Sequence, residues 1–137
     1  MTQNSRREIP QFNTPIVETH CHLDYLGPES LRATLNAAAD YGIERIVTIA
    51  VSPDNLETVR NLAVQNQQVW CTQGIHPHEA SAWNQDVAER VIAGCDEART
   101  VAVGEIGLDY HYDHSNRTAH ARAFDEQLHV AAQQSLP

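Results

Sequence analysis

Lysine is absent from this 137-residue sequence; all nine basic side chains are arginines, against 18 acidic ones, for a formal net charge of −9. A chain that grips duplex DNA along a broad basic face carries the opposite balance, so that class is disfavoured. Apolar runs are short, and none approaches the roughly 18 consecutive apolar residues of a membrane-spanning helix. Cysteine is scarce: Cys21, Cys71 and Cys95 lie far apart, with no Cys-x-x-Cys pair. That usage fits reduced thiols better than a disulfide framework or a structural zinc site. No G-x-G-x-x-G turn follows the first apolar run, so a dinucleotide-type phosphate loop is missing. Ser5-Arg6-Arg7 has the look of a twin-arginine export signal, yet Glu8 to Pro15 contain no apolar stretch to complete it. Residues 1–15 read as a polar leader, and the expected compartment is the cytoplasm.

What is present is a regular alternation. Hydrophobic residues make up 42% of the chain, enough for one domain of ordinary size. Ile16-Val17, Ile46 to Val51, Val69 to Gln73 and Val101 to Val103 read as strands. Between and after them come helix-like stripes: Leu31, Leu35 and Ala38, stopped by Gly42; Leu56, Val59 and Leu62, opened by Ser52-Pro53-Asp54; Val87, Val91 and Ile92; and Phe124, Leu128 and Ala131. Continuous buried-strand runs alternating with helices predict βαβ units on a parallel sheet. Four such units are half of a (β/α)8 barrel, which needs about 250 residues, and an open four-stranded sheet is the alternative on this count. The motifs decide between them.

Glu18-Thr19-His20-Cys21-His22-Leu23-Asp24 ends the first predicted strand, where a barrel builds its active site. Period-two alternation points His20 and His22 the same way and Cys21 the other way, into packing. Two converging imidazoles are what a divalent metal takes from a strand; a hydrogen-bonded pair in a strand-end loop is the plainer reading, and the strand-end position favours the metal. Gly74-Ile75-His76-Pro77-His78 repeats the spacing after the third strand, in a turn fixed by Pro77. Gly104-Glu105-Ile106-Gly107-Leu108-Asp109-Tyr110 follows the fourth. A lone buried Glu105 is costly, and either a metal or a neighbouring arginine relieves it. The metal is favoured; Asp109 could cap the following segment or hydrogen-bond a ligand histidine from behind, and the second is favoured. His120 and His129 sit in the last predicted helix as surface or packing residues, and Trp70 and Trp83 as core or rim.

Together, Thr19 to Asp24, Gly74 to His78 and Val103 to Tyr110 resemble the TatD family of metal-dependent deoxyribonucleases, in the amidohydrolase-like barrel group. A looser match runs from Arg117 through Phe124 and Gln127-Leu128 to Ala131. The resemblance implies an α/β fold of (β/α)8 TIM-barrel type, of which residues 16–137 would be about the first four βα units, the N-terminal half. It implies one or two divalent ions, magnesium, manganese or zinc alike, with His20 and His22 on one ion and Glu105 bridging both. His76 becomes a substrate contact beside Glu105, the two forming the catalytic pair. The implied reaction is phosphodiester hydrolysis, trimming a DNA single strand from its 3′ end, by a protein that is monomeric at full length and has no membrane partner. Two positions depart from the family pattern: Glu18 stands where aspartate is usual, and His120 where glutamine is usual. The family's later ligands, two histidines and an aspartate, fall beyond Pro137. Two other readings are an amidohydrolase of small molecules, for which the customary bridging lysine carbamate is missing, and an inactive truncated paralogue.

Overall fold

β-Branched and aliphatic runs build four strands in a computed structural model that describes residues 7–112, 114 and 116–137. They are β1 (Ile16–Cys21), β2 (Ile43–Thr48), β3 (Val69–Gln73) and β4 (Thr100–Val103). All neighbours pair in parallel, in the order β1-β2-β3-β4. Helices α1 (Pro28–Asp40), α2 (Leu56–Gln65), α3 (Gln85–Cys95) and α4 (Arg117–Gln134) alternate with them, and 3-10 turns occupy Leu23–Tyr25 and Pro77–Ala82. The order never reverses, so same-handed crossovers lay every helix on one face. A doubly wound sheet reverses its order and covers both faces. The chain therefore builds the expected class: four βα units of the (β/α)8 type.

The core lies between sheet and helices. Ile46, Val69 and Cys71 meet Leu35, Val59, Ala63 and Val91 there, all buried. The other face of the sheet carries exposed Val17 and Val101. Trp70, half-buried on that face, has the guanidinium groups of Arg45 and Arg99 over its ring, 5.6 and 4.7 Å from the ring centre. Residues 7–15 are exposed and carry neither helix nor strand, while Ser5 and Arg6 of the arginine pair lie outside the described residues. No helix among the described residues is long and apolar enough to cross a membrane.

Local chemistry sets most boundaries. Pro28 opens α1, and Gly42, at φ +85°, takes the left-handed conformation that ends it. Asn84 and Asn116 cap α3 and α4 by accepting the N–H groups of Val87 and Ala119. Three expectations shift. β2 stops at Thr48 rather than Val51, because Ile49 to Val51 leave the ladder to hold loops of the site. Helix α2 begins at Leu56, since Ser52-Pro53-Asp54 form a turn whose N–H groups at Val51 and Ser52 go to Asn55 Oδ1, 3.0 and 3.1 Å away. The buried side of α4 is His120, Ala123, Gln127, Val130 and Ala131, with Leu128 45% exposed. Two polar side chains sit inward there because they serve backbone groups of the site loops, which an apolar stripe cannot reveal.

Candidate metal centre

The carboxyl ends of β1, β3 and β4 converge. His20 lies near the end of β1, His22 follows it, and Glu105 comes just after β4. One ligand atom from each of these three side chains lies within 4.8 Å of the others. His20 Nε2 is 3.3 Å from Glu105 Oε2, and His76 Nε2 is 3.4 Å from Glu105 Oε1, so one carboxylate faces an imidazole on each oxygen. Glu18, the departure from the family pattern, folds back so that its Oε1 accepts the His20 N–H at 2.9 Å. Cys21 turns the other way, its thiol 3.6 Å from the Val47 carbonyl. Burial, helped by Glu18 and Asp24, pushes that thiol up to about 11, so it is protonated at neutral pH.

Backbone bonds tie the loops together. Glu105 N–H donates to the Ala50 carbonyl and His76 N–H to the Val51 carbonyl, at 3.0 and 2.8 Å. Thr72 donates its hydroxyl to the Gly104 carbonyl at 2.6 Å and accepts the Ala50 N–H. A Cβ on Gly74 would lie 2.8 Å from the Gly104 backbone, so the loops carrying His76 and Glu105 touch only because position 74 has no side chain.

His76 Nδ1 accepts the backbone N–H of His78 at 3.0 Å, so the neutral ring carries its proton on Nε2, toward Glu105. Burial lowers the His76 pKa more than the carboxylate raises it, which favours that neutral donor. Asp109, expected behind a ligand histidine, is not bonded to His20 or His22. It meets His78 at 2.6 Å and accepts the His111 N–H at 2.9 Å; with the His78 bond as the larger cause, its pKa falls to about 2. His120 is fully buried, and its Nδ1 accepts the Asp109 N–H at 3.3 Å; His129 is exposed. Trp83 is core and Trp70 rim.

Sequence reasoning gave no role to Asn55 or Tyr25, and placed Gln127 in the looser family match without a role. The Gln127 amide clamps Ile75 from both sides, accepting its N–H at 2.7 Å and donating to its carbonyl at 3.2 Å. Asn55 links the loop after β2 to Asp24 at 3.0 Å. Tyr25 lines a cleft of about 330 Å³ together with His20, His22, Val51, His76 and Glu105. For Asn55 the available signal was an amide at a turn; for Gln127, one of three glutamines in a polar helix, the sequence offered none.

The three-residue group suits a divalent cation: two imidazoles and a carboxylate are borderline and hard donors, brought together from the carboxyl ends of β1 and β4. His22 Nδ1 is buried without a hydrogen-bond partner, so no protein group competes for it. The sequence profile of the family described as TatD related DNase matches residues 17–137. The chain belongs to that family. The 3′-5′ ssDNA/RNA exonuclease TatD of Cronobacter sakazakii is 38% identical over 96 residues, covering 70% of this chain and 36% of that protein. Its namesake from Pectobacterium parmentieri is 47% identical over 68 residues, covering 50% of this chain and 26% of that one. Among solved structures, the TatD homologue YjjV of Escherichia coli superposes with a TM-score of 0.80 at 33% identity, over 88% of this chain and 48% of that one. The chain thus spans about a third of the length of such curated relatives and about half of YjjV.

Proposed function

We propose that residues 16–137 form the N-terminal half of a metal-dependent phosphodiesterase barrel that trims single-stranded nucleic acid from its 3′ end. The observation that carries this reading is the convergence of His20, His22 and Glu105, with His76 at the second oxygen of Glu105. Supporting it, the curated relatives are named as 3′-5′ exonucleases of single-stranded DNA and RNA. His20, His22 and Glu105 are the residues that would hold the divalent ion or ions. Bound there, such ions supply Lewis-acid polarisation of phosphoryl oxygens and a lowered pKa for water. The chain's own residues do the rest. His76, neutral and protonated on Nε2, donates to a phosphoryl oxygen as charge builds on it. Asp109 fixes the orientation of His78, and the Gly74–Gly104 contact keeps His76 beside Glu105.

The net charge of −9 argues against a long duplex footprint and for capture of a strand end, where bound cations offset the local acidity. Three unpaired cysteines support a reducing, cytoplasmic setting. The test is titration of the 137-residue chain with Mn²⁺ or Zn²⁺, followed by cleavage of an end-labelled single strand. Binding should be saturable and weakened at least tenfold by His20→Ala. Cleavage should release mononucleotides from the 3′ end, stop in EDTA, and fall about a hundredfold or more in Glu105→Gln. Cleavage that persists undiminished in EDTA would sink the metal reading.

A further inference from the structure

We propose that Tyr25 is the stacking platform for the base of the terminal nucleotide, an inference that rests on the nuclease reading above. Tyr25 follows β1 and Tyr110 and Tyr112 follow β4; of the three, Tyr25 lines the cleft. Tyr110 stacks on His120 with ring centres 5.9 Å apart, and the Arg117 guanidinium lies 4.5 Å from its ring centre, so its ring is already engaged by a histidine and a cation. Tyr112 is 62% exposed but packs among His78, His111 and His114, away from the metal-ligand group. Tyr25 differs from both. It is 74% exposed, and its ring lies nearly parallel to that of His22, at 22° and 5.4 Å between centres. One face thus rests on a metal-ligand histidine, and the other is open.

Position gives that open face its meaning. Tyr25 belongs to the 3-10 turn Leu23–Tyr25, whose Leu23 is buried and whose Asp24 is held by Asn55, so a rigid turn presents the ring. It lines the same cleft as His20, His22, His76 and Glu105, with Val51 as a further apolar surface. The cleft's volume of about 330 Å³ is at the small end of ligand pockets, which run from roughly 300 to 1,000 Å³. A phosphodiester seated at Glu105 and His76 carries its base within the same cleft. The ring face takes that base whatever its identity, because every base has a π face. Stacking supplies affinity that the backbone charge does not.

The experiment measures binding of the 137-residue chain to a 5′-fluorescein ten-nucleotide thymidine strand with slow-cleaving phosphorothioate linkages, by fluorescence anisotropy with Mn²⁺ present. A matched strand lacks bases at its two 3′-terminal nucleotides. Tyr25→Ala should weaken binding of the intact strand about tenfold and that of the base-less strand less than twofold. Tyr25→Phe should bind like the parent, since stacking needs the ring and not the hydroxyl. Tyr25→Leu, which preserves apolar packing on His22, should behave like Tyr25→Ala and so covers a failure of the alanine variant to fold. Equal weakening of both strands, or none, overturns the stacking role while leaving the nuclease reading intact. A parent chain that binds neither strand overturns both.

Discussion

Glu105 faces two imidazoles at once, and that is what makes a short glycine-flanked segment a candidate catalytic centre. The contact depends on a residue that does nothing chemical. A methyl group at position 74 would sit 2.8 Å from the Gly104 carbonyl carbon, nitrogen and oxygen, closer than real Cβ contacts come, and all three atoms are backbone. Gly74→Ala is therefore expected to destabilise by about 1–3 kcal/mol, as overpacking does, and to separate His76 from Glu105. Urea denaturation checks the first effect; a metal affinity and cleavage rate unchanged from the parent would refute the second. The same scale shows what the sequence let a reader see. His20 and His22 were legible because strand alternation forces them to one side, and Glu105 because a charge beside an apolar run needs a partner. Asp109 was legible as a positioning residue, but its partner was not. Which histidine it meets depends on how two loops from different strand ends approach, and His78 reaches it first.

The elements were legible where packing follows apolar periodicity, as in β3, α1 and α3, and obscure where polar groups are buried. Helix α4 is the clearest case, with His120 and Gln127 inward and Leu128 outward. Its grip on the 3-10 turn Pro77–Ala82 also predicts a pH effect. Trp83, which caps that turn, donates its indole N–H to Glu126 Oε2 at 2.7 Å, and Arg122 donates to Oε1 at 2.8 Å. These bonds, the Arg122 one first, lower the Glu126 pKa from its ordinary value near 4.5. A carboxylate with a depressed folded pKa contributes stability that is complete above its unfolded value and is lost as pH falls through the folded one. The expected outcome is a tryptophan fluorescence step below about pH 4.5 that is missing in Glu126→Gln, which keeps an acceptor but cannot titrate. An identical acid step in both proteins would assign the transition to another group.

At the scale of the whole molecule, the strand order β1-β2-β3-β4 leaves β1 and β4 each with one sheet neighbour, whereas a closed barrel gives every strand two. Bare strand edges invite pairing with other chains, and these two carry partial cover. On β1 the His20 N–H goes to the Glu18 carboxylate; on β4 the Val103 N–H donates to the Pro137 carbonyl at 2.9 Å. The chain reaches that point because Ser135 takes a left-handed conformation, φ 55°, after α4 and turns Leu136 back toward the sheet. Amide hydrogen exchange reads this arrangement directly. In the 137-residue chain the amides of β2 and β3 should be protected most strongly, since their partners lie on both sides within the sheet. Outward amides of β1 and β4 should exchange orders of magnitude faster, with His20 and Val103 as the slow exceptions. Uniform protection across all four strands would mean that both edges are covered in solution, and light scattering on the same sample would then separate a second copy of the chain from an intramolecular cover. A fast Val103 amide would instead remove the one contact by which the segment after α4 extends the sheet beyond β4.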